Sequence, residues 1–157
     1  MKIGYLQFKP ELGKVKENIR QIDNLIKDKE FDLLVLPELA NAGYLFTSRE
    51  ELAKYAESPD DGKFCNFLKE ICYRKNCFIV SGFIEKSGDK FYNSAITVFP
   101  DKSYKIYRKI HLFYEEKFIF EAGDKPFEVF EISSEKFGKI KIGMMILRLG
   151  FMVLKTP

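Results

Sequence analysis

The chain has 157 residues, 46% of them apolar and 31% charged, with 26 basic against 23 acidic side chains and a net charge of +3. That composition fits one globular domain with a real core, and the interspersed signs mark neither a nucleic acid nor a membrane as a partner. No apolar run approaches the ~20 residues of a membrane span, and the opening MKIGYLQFKPELG lacks the apolar stretch and cleavage site of a secretory leader, so a cytoplasmic protein is expected.

Residues 2–8 (KIGYLQF) predict a first strand. Val15, Ile19, Ile22, Leu25 and Ile26 recur at helical spacing and predict an amphipathic helix over 14–29. The near-continuous apolar run 31–36 (FDLLVL) suits a strand covered on both faces, completing a βαβ pattern. Pro37 has no N–H for a sheet ladder and ends the run. Glu38 therefore stands at the mouth of a buried strand. Burial there favours the neutral acid and would suit a general base; a solvated position would make it an ordinary loop carboxylate.

Gly43 lies in a loop and is free to take a positive φ. Ser48 and Glu51 have capping-box spacing, predicting a short helix to about residue 56. After the break at 58–62 (SPDDG), the stripe Phe64, Phe67, Leu68, Ile71 and Cys72 predicts a helix ending near Asn76. Strands follow at 77–85, 91–99 and 104–107, joined by turns at 87–89 and 100–101. Residues 108–126 carry no regular period, and a loop of that length in a compact domain is usually functional or mobile. Two more strands are predicted at 127–132 and 139–146. The class is α/β, with more strand surface than the helices can cover; the surplus calls for a further layer such as a second sheet.

Cys65, Cys72 and Cys77 are an odd set in a chain without a secretion signal, which argues against a disulfide framework. Core packing is expected for all three, because a zinc site needs closer pairs and more ligands than a single histidine, His111, supplies. The chain has no phosphate-cradling glycine loop either, so no metal or cofactor is expected. Lys109, beside Ile110, Leu112 and Phe113, is a candidate for a partly desolvated ammonium. Paired with a carboxylate it would stay charged and act as an electrophilic group; its alternative is a lysine snorkelling to the surface. Glu115 and Glu116 follow; one of them could face inward, but taken alone they read as solvated loop charges.

Together these stretches resemble the nitrilase superfamily, the carbon–nitrogen hydrolases. The matching pieces are LVLPELANAGY (34–44), SGFIE (81–85), FYNSA (91–95), YRKIHLF (107–113), FEAGD (120–124) and KIGMMI (141–146), in the family's order. The resemblance covers nearly all of residues 1–146. It implies a four-layer α-β-β-α sandwich of which this chain holds the N-terminal half, and a Glu-Lys-Cys triad cleaving non-peptide C–N bonds in amides, carbamoyl compounds or nitriles. Amidase-type chemistry on a small amide substrate is favoured, without a cofactor, and with homo-oligomers expected of the full-length family. Glu38 matches the general base, Lys109 the lysine that stabilises the tetrahedral intermediate, and Glu116 a second glutamate that positions substrate. His111 matches a structural position.

The match fails at one point. Leu147 stands where the resemblance calls for the nucleophilic cysteine, and Arg148, Leu149 and Gly150 replace the aromatic-Asp-Trp continuation. Leu-Arg-Leu-Gly can be encoded TTA CGA TTG GGN, which contains TAC GAT TGG, or Tyr-Asp-Trp, in a neighbouring frame. Residues 147–157 are therefore expected to be an aberrant, out-of-frame tail, and the chain to be truncated, marginally stable and inactive. A binding or regulatory module that retains Glu38, Lys109 and Glu116 is the alternative.

Overall fold

The computed structural model describes the backbone of residues 1–147 and 150–153 and the side chains of residues 1–146. Its centre is a five-stranded sheet in the order β1 (Ile3–Tyr5), β2 (Leu33–Val35), β3 (Phe78–Ser87), β4 (Lys90–Val98), β5 (Tyr104–Arg108). The first three strands are parallel, and β3, β4 and β5 continue antiparallel. The crossovers are helical: α1 (Val15–Ile26) between β1 and β2, then α2 (Arg49–Ala53) and α3 (Lys63–Lys75) between β2 and β3. A short α4 (Glu116–Ile119) leads to β6 (Val129–Ser134), β7 (Gly138–Leu147) and β8 (Gly150–Val153), three antiparallel strands outside the first sheet.

Strand period two sorts the core into two faces. Leu34, Ile79, Phe83, Ile96 and Val98 pack under Ile22 and Ile26 of α1 and Phe64, Leu68 and Ile71 of α3. Leu33, Phe78, Val80 and Ala95 point the other way, against Phe130, Ile132, Ile142, Met144 and Ile146 of the second sheet. Because β2 is covered on both sides, its sequence, Leu-Leu-Val, has no polar member. The surplus strand surface anticipated above does pack on a second sheet. That cover stops short of β1, where Ile3 is 53% and Tyr5 78% exposed. Their register opposite Leu33 and Val35 places them on the same face as that inter-sheet core.

The local signals read from sequence hold with small shifts. Ser48 Oγ accepts from Glu51 N at 3.1 Å, but the Glu51 carboxylate reaches back to Thr47 N at 3.0 Å, one residue beyond the capping-box partner. Asn76 takes a left-handed φ of 49°, and Cys77 N donates to Cys72 O at 3.1 Å, so α3 closes as a Schellman motif. All three cysteines are buried free thiols. β1 and β2 are shorter than predicted, although Leu6 N still donates to Val35 O and Leu36 N to Val80 O. Two elements are absent from the sequence reading: α4, whose single turn is too short to show a period, and β8, which lies in the stretch expected to be an aberrant tail. Among the described residues, no helix is long and apolar enough to cross a membrane, and no cluster of three or more His, Cys, Asp or Glu could hold a metal ion.

Candidate active site

Beyond Val35 the backbone remains docked on β3. Leu36 N donates to Val80 O, the Pro37 carbonyl accepts from Gly82 N at 3.2 Å, and Ala40 N donates to Gly82 O at 3.0 Å. Pro37 thus gives up its place as a donor but keeps its acceptor role. Leu39 turns the chain with a φ of 46°, unusual for a branched side chain and tolerated because that side chain is only 1% exposed in the core. Glu38 is fixed in this turn, half-buried.

Lys109 follows the last residue of β5 and is clamped by its main chain. Its N–H donates to Asn93 O, and its carbonyl accepts from Gly123 N, both at 2.9 Å. Gly123 is required for this approach: a Cβ there would lie 2.2 Å from Arg108 O. Arg108 anchors the strand end on one face. Its guanidinium binds the buried Glu85 carboxylate and Asp124, and stacks 3.9 Å from the Tyr92 ring centroid, while Ser94 Oγ donates to Glu85 at 2.6 Å. The Glu85 hydrogen bond is the main cause raising the Arg108 pKa. Strand alternation then sends Lys109 the opposite way, to the face that carries Asn93.

There the charged groups meet. Lys109 Nζ lies 3.1 Å from Glu38 Oε1 and 2.8 Å from Glu116 Oε1. Asn93 Nδ2 donates to the same two oxygens, at 2.6 Å to Glu38 and 3.3 Å to Glu116. The four atoms form a closed ring of alternating donors and acceptors. Glu116, the first residue of α4, also accepts from Phe113 N at 2.7 Å through Oε2 and from the Tyr44 hydroxyl through Oε1. Burial pushes the Glu116 carboxyl up, but the bonds from Lys109, Phe113 and Tyr44 outweigh it and hold the group below its ordinary value. Burial and the bond to Glu116 push the Tyr44 phenol well above its usual value.

Glu38, Lys109 and Glu116 are therefore brought together from three separate stretches. Glu116 is 4% exposed: the single turn of α4 folds it inward, so the reading of the pair taken alone, as solvated loop charges, holds only for Glu115, which is exposed, as is His111. Lys109 is 2% exposed and does not snorkel. Leu147 ends β7 in backbone, but its side chain lies outside the described residues, as does most of what bears on the 147–157 tail. Sequence reasoning missed Asn93 and Tyr44 as members of the cluster. A carboxamide inside the apolar strand FYNSAITV was the available signal for Asn93; for Tyr44 there was none beyond its place in LANAGY.

A cleft of about 170 Å³ opens beside Glu116, walled by Leu39, Tyr44, Phe46, Phe113 and Phe120. A larger open groove of about 1270 Å³, lined by Tyr55, Glu57, Glu85 and Arg108 among others, includes none of the three charged site residues. The Glu57 carboxylate there is committed to capping α3 through Phe64 N and Cys65 N, both at 3.1 Å, so the smaller cleft is the one that belongs to the site.

The carbon–nitrogen hydrolase family model matches residues 1–150. The chain belongs to the carbon–nitrogen hydrolase family. It is 40% identical over 149 residues to a nitrilase of Pyrococcus abyssi, covering 93% of this chain and 55% of the relative. It is 27% identical over 151 residues to the protein N-terminal amidase of Saccharomyces cerevisiae, covering 89% of this chain and 33% of that protein. In structure it superimposes on an N-terminal amidase solved with an Asn-Glu-Ala peptide, with a TM-score of 0.78 at 25% identity, over 91% of this chain and 38% of the other. The chain thus spans about half the length of these carbon–nitrogen hydrolases or less. The mixed α/β architecture, a five-stranded sheet with helices, resembles the fold of these carbon–nitrogen hydrolases.

Proposed function

We propose that this chain carries the base and the electrophile of an amidase-type carbon–nitrogen hydrolase but not its nucleophile, and that by itself it does not turn over substrate. The observation that carries the reading is the Lys109 ammonium, buried between the Glu38 and Glu116 carboxylates at 3.1 and 2.8 Å. An acyl transfer through a thiol needs a base to take the thiol proton and a cation or N–H group to meet the oxyanion that forms on the attacked carbonyl. Glu38 fills the first role: among the described residues only its Oε1 is hydrogen-bonded. Lys109 fills the second. Glu116, with both oxygens engaged, holds the lysine and faces the substrate cleft.

The nucleophile belongs at Leu147, which has no lone pair to attack a carbonyl. On this reading residues 1–146 form the hydrolase part and residues 147–157 read out of frame. The protein is cytoplasmic, its ligands are small amides or the matching acids, and the complete enzyme is a homo-oligomer. Ammonia release from small ω-amides tests the claim: none above the uncatalysed rate is expected, and turnover by this chain would refute it. The nucleotide sequence at codon 147 tests its cause; without a Tyr-Asp-Trp reading in a neighbouring frame, the frame explanation is wrong.

A second reading, an amide- or acid-binding module without turnover, is favoured by the preformed cleft beside an intact Lys109–Glu116 pair. Calorimetric titration with small amides and carboxylic acids separates it from a chain that neither binds nor reacts.

A further inference from the structure

We infer that Asn93 is a positioning residue of this site, holding Glu38 and Glu116 together on Lys109 and selecting which Glu38 oxygen is left for proton transfer. The inference rests on the hydrolase reading above.

Asn93 is fully buried in the middle of β4. Its Nδ2 donates to Glu38 Oε1 at 2.6 Å and to Glu116 Oε1 at 3.3 Å, and its main-chain carbonyl accepts from Lys109 N at 2.9 Å. One residue therefore fixes all three charged groups. Two carboxylate oxygens drawn to one ammonium repel each other, and a second donor between them relieves this without adding charge. Aspartate would add a third anion in nearly the same shape; leucine would offer no donor.

The second observation is what Asn93 forgoes. Its Oδ1 is buried and, among the described residues, without a hydrogen-bond partner. Leaving a buried acceptor bare costs about 1–3 kcal/mol. An apolar side chain, like Ile84 and Ile96 nearby on β3 and β4, would fill the place without that cost. The amide is useful there only for its donors, and electrostatics set its orientation, because the reverse would point Oδ1 at two carboxylates. Both donors reach Glu38 through Oε1, so Oε2 is the oxygen left to take a proton.

The test is an NMR titration of the Glu116 carboxyl carbon in this chain and in Asn93→Leu, Asn93→Asp and Thr97→Val. Loss of one charge-assisted bond is expected to raise the proton affinity of Glu116 about tenfold in Asn93→Leu, and further in Asn93→Asp. Thr97→Val, on the same face of the same strand, loses stability but leaves that titration in place. If both Asn93 variants fold and Glu116 titrates as before, the inference is overturned. If neither folds, the native protein decides: slow exchange of the Asn93 side-chain amide protons, with their shift altered by Glu116→Gln, supports it, and exchange at the rate of an exposed amide, insensitive to Glu116→Gln, overturns it. None of these readouts requires turnover, so a failed amidase assay and a failed positioning role are told apart.

Discussion

Lys109 and Asn93 are joined twice: by a main-chain hydrogen bond of 2.9 Å, and by side chains that share the same two oxygens, Glu38 Oε1 and Glu116 Oε1. The site is thus an extension of sheet pairing. The ladder that holds the end of β5 against β4 delivers both donors to one spot. The carboxylates come to it from a turn after β2 and from the first turn of α4.

Removing the cation should be costly. Lys109→Met leaves two facing carboxylates, one of them 4% exposed, without a counter-charge. A loss of about 3–5 kcal/mol is expected, as for other buried pairs broken from one side. The double variant Lys109→Met/Glu116→Gln should recover part of it, since one of the stranded charges is gone. Urea denaturation of the four proteins of this cycle measures both numbers.

Acid should weaken the fold through Glu116. Its folded pKa is lowered, so the unfolded chain binds the proton more readily. Its contribution to stability is complete above the ordinary value of 4.5 and is lost as pH falls through the lower folded value. Glu116→Gln removes that term. The stability difference between the native protein and Glu116→Gln should therefore shrink as pH falls below 4.5, and a constant difference in denaturation midpoint would contradict the assignment.

Gly123→Ala tests the clamp behind Lys109. The added methyl would sit 2.2 Å from the Arg108 carbonyl, and backbone cannot swing aside as a flexible side chain can. A loss of about 1–3 kcal/mol is expected, read as a lowered thermal midpoint, together with a perturbed Lys109 amide resonance, because the Gly123 N–H that binds its carbonyl must move.

The edge strand β1 should drive self-association. Ile3 and Tyr5 are exposed apolar groups on an unpaired edge, in line with a core that the second sheet covers only further in. Sedimentation velocity should show concentration-dependent association that Tyr5→Lys reduces; a monomer at all concentrations would show this edge to be inert.

Local chemistry in the sequence by itself determined much of this protein. Apolar spacing set α1 and α3, the Leu-Leu-Val run set β2, Pro37 marked its end, and Ser48 marked the start of α2, because each depends on neighbours within a turn or a strand. The ordered motifs also picked out Glu38, Lys109 and Glu116. Only the tertiary structure decided that Glu116 and not Glu115 turns inward, that Lys109 is buried, and that Asn93 belongs with them. Those facts rest on contacts spanning 55 residues between Glu38 and Asn93, 71 between Glu38 and Lys109, and 72 between Tyr44 and Glu116. Hydrogen-bond partners so far apart leave no periodic trace in the chain; they are set by which strands pair and which face each side chain takes.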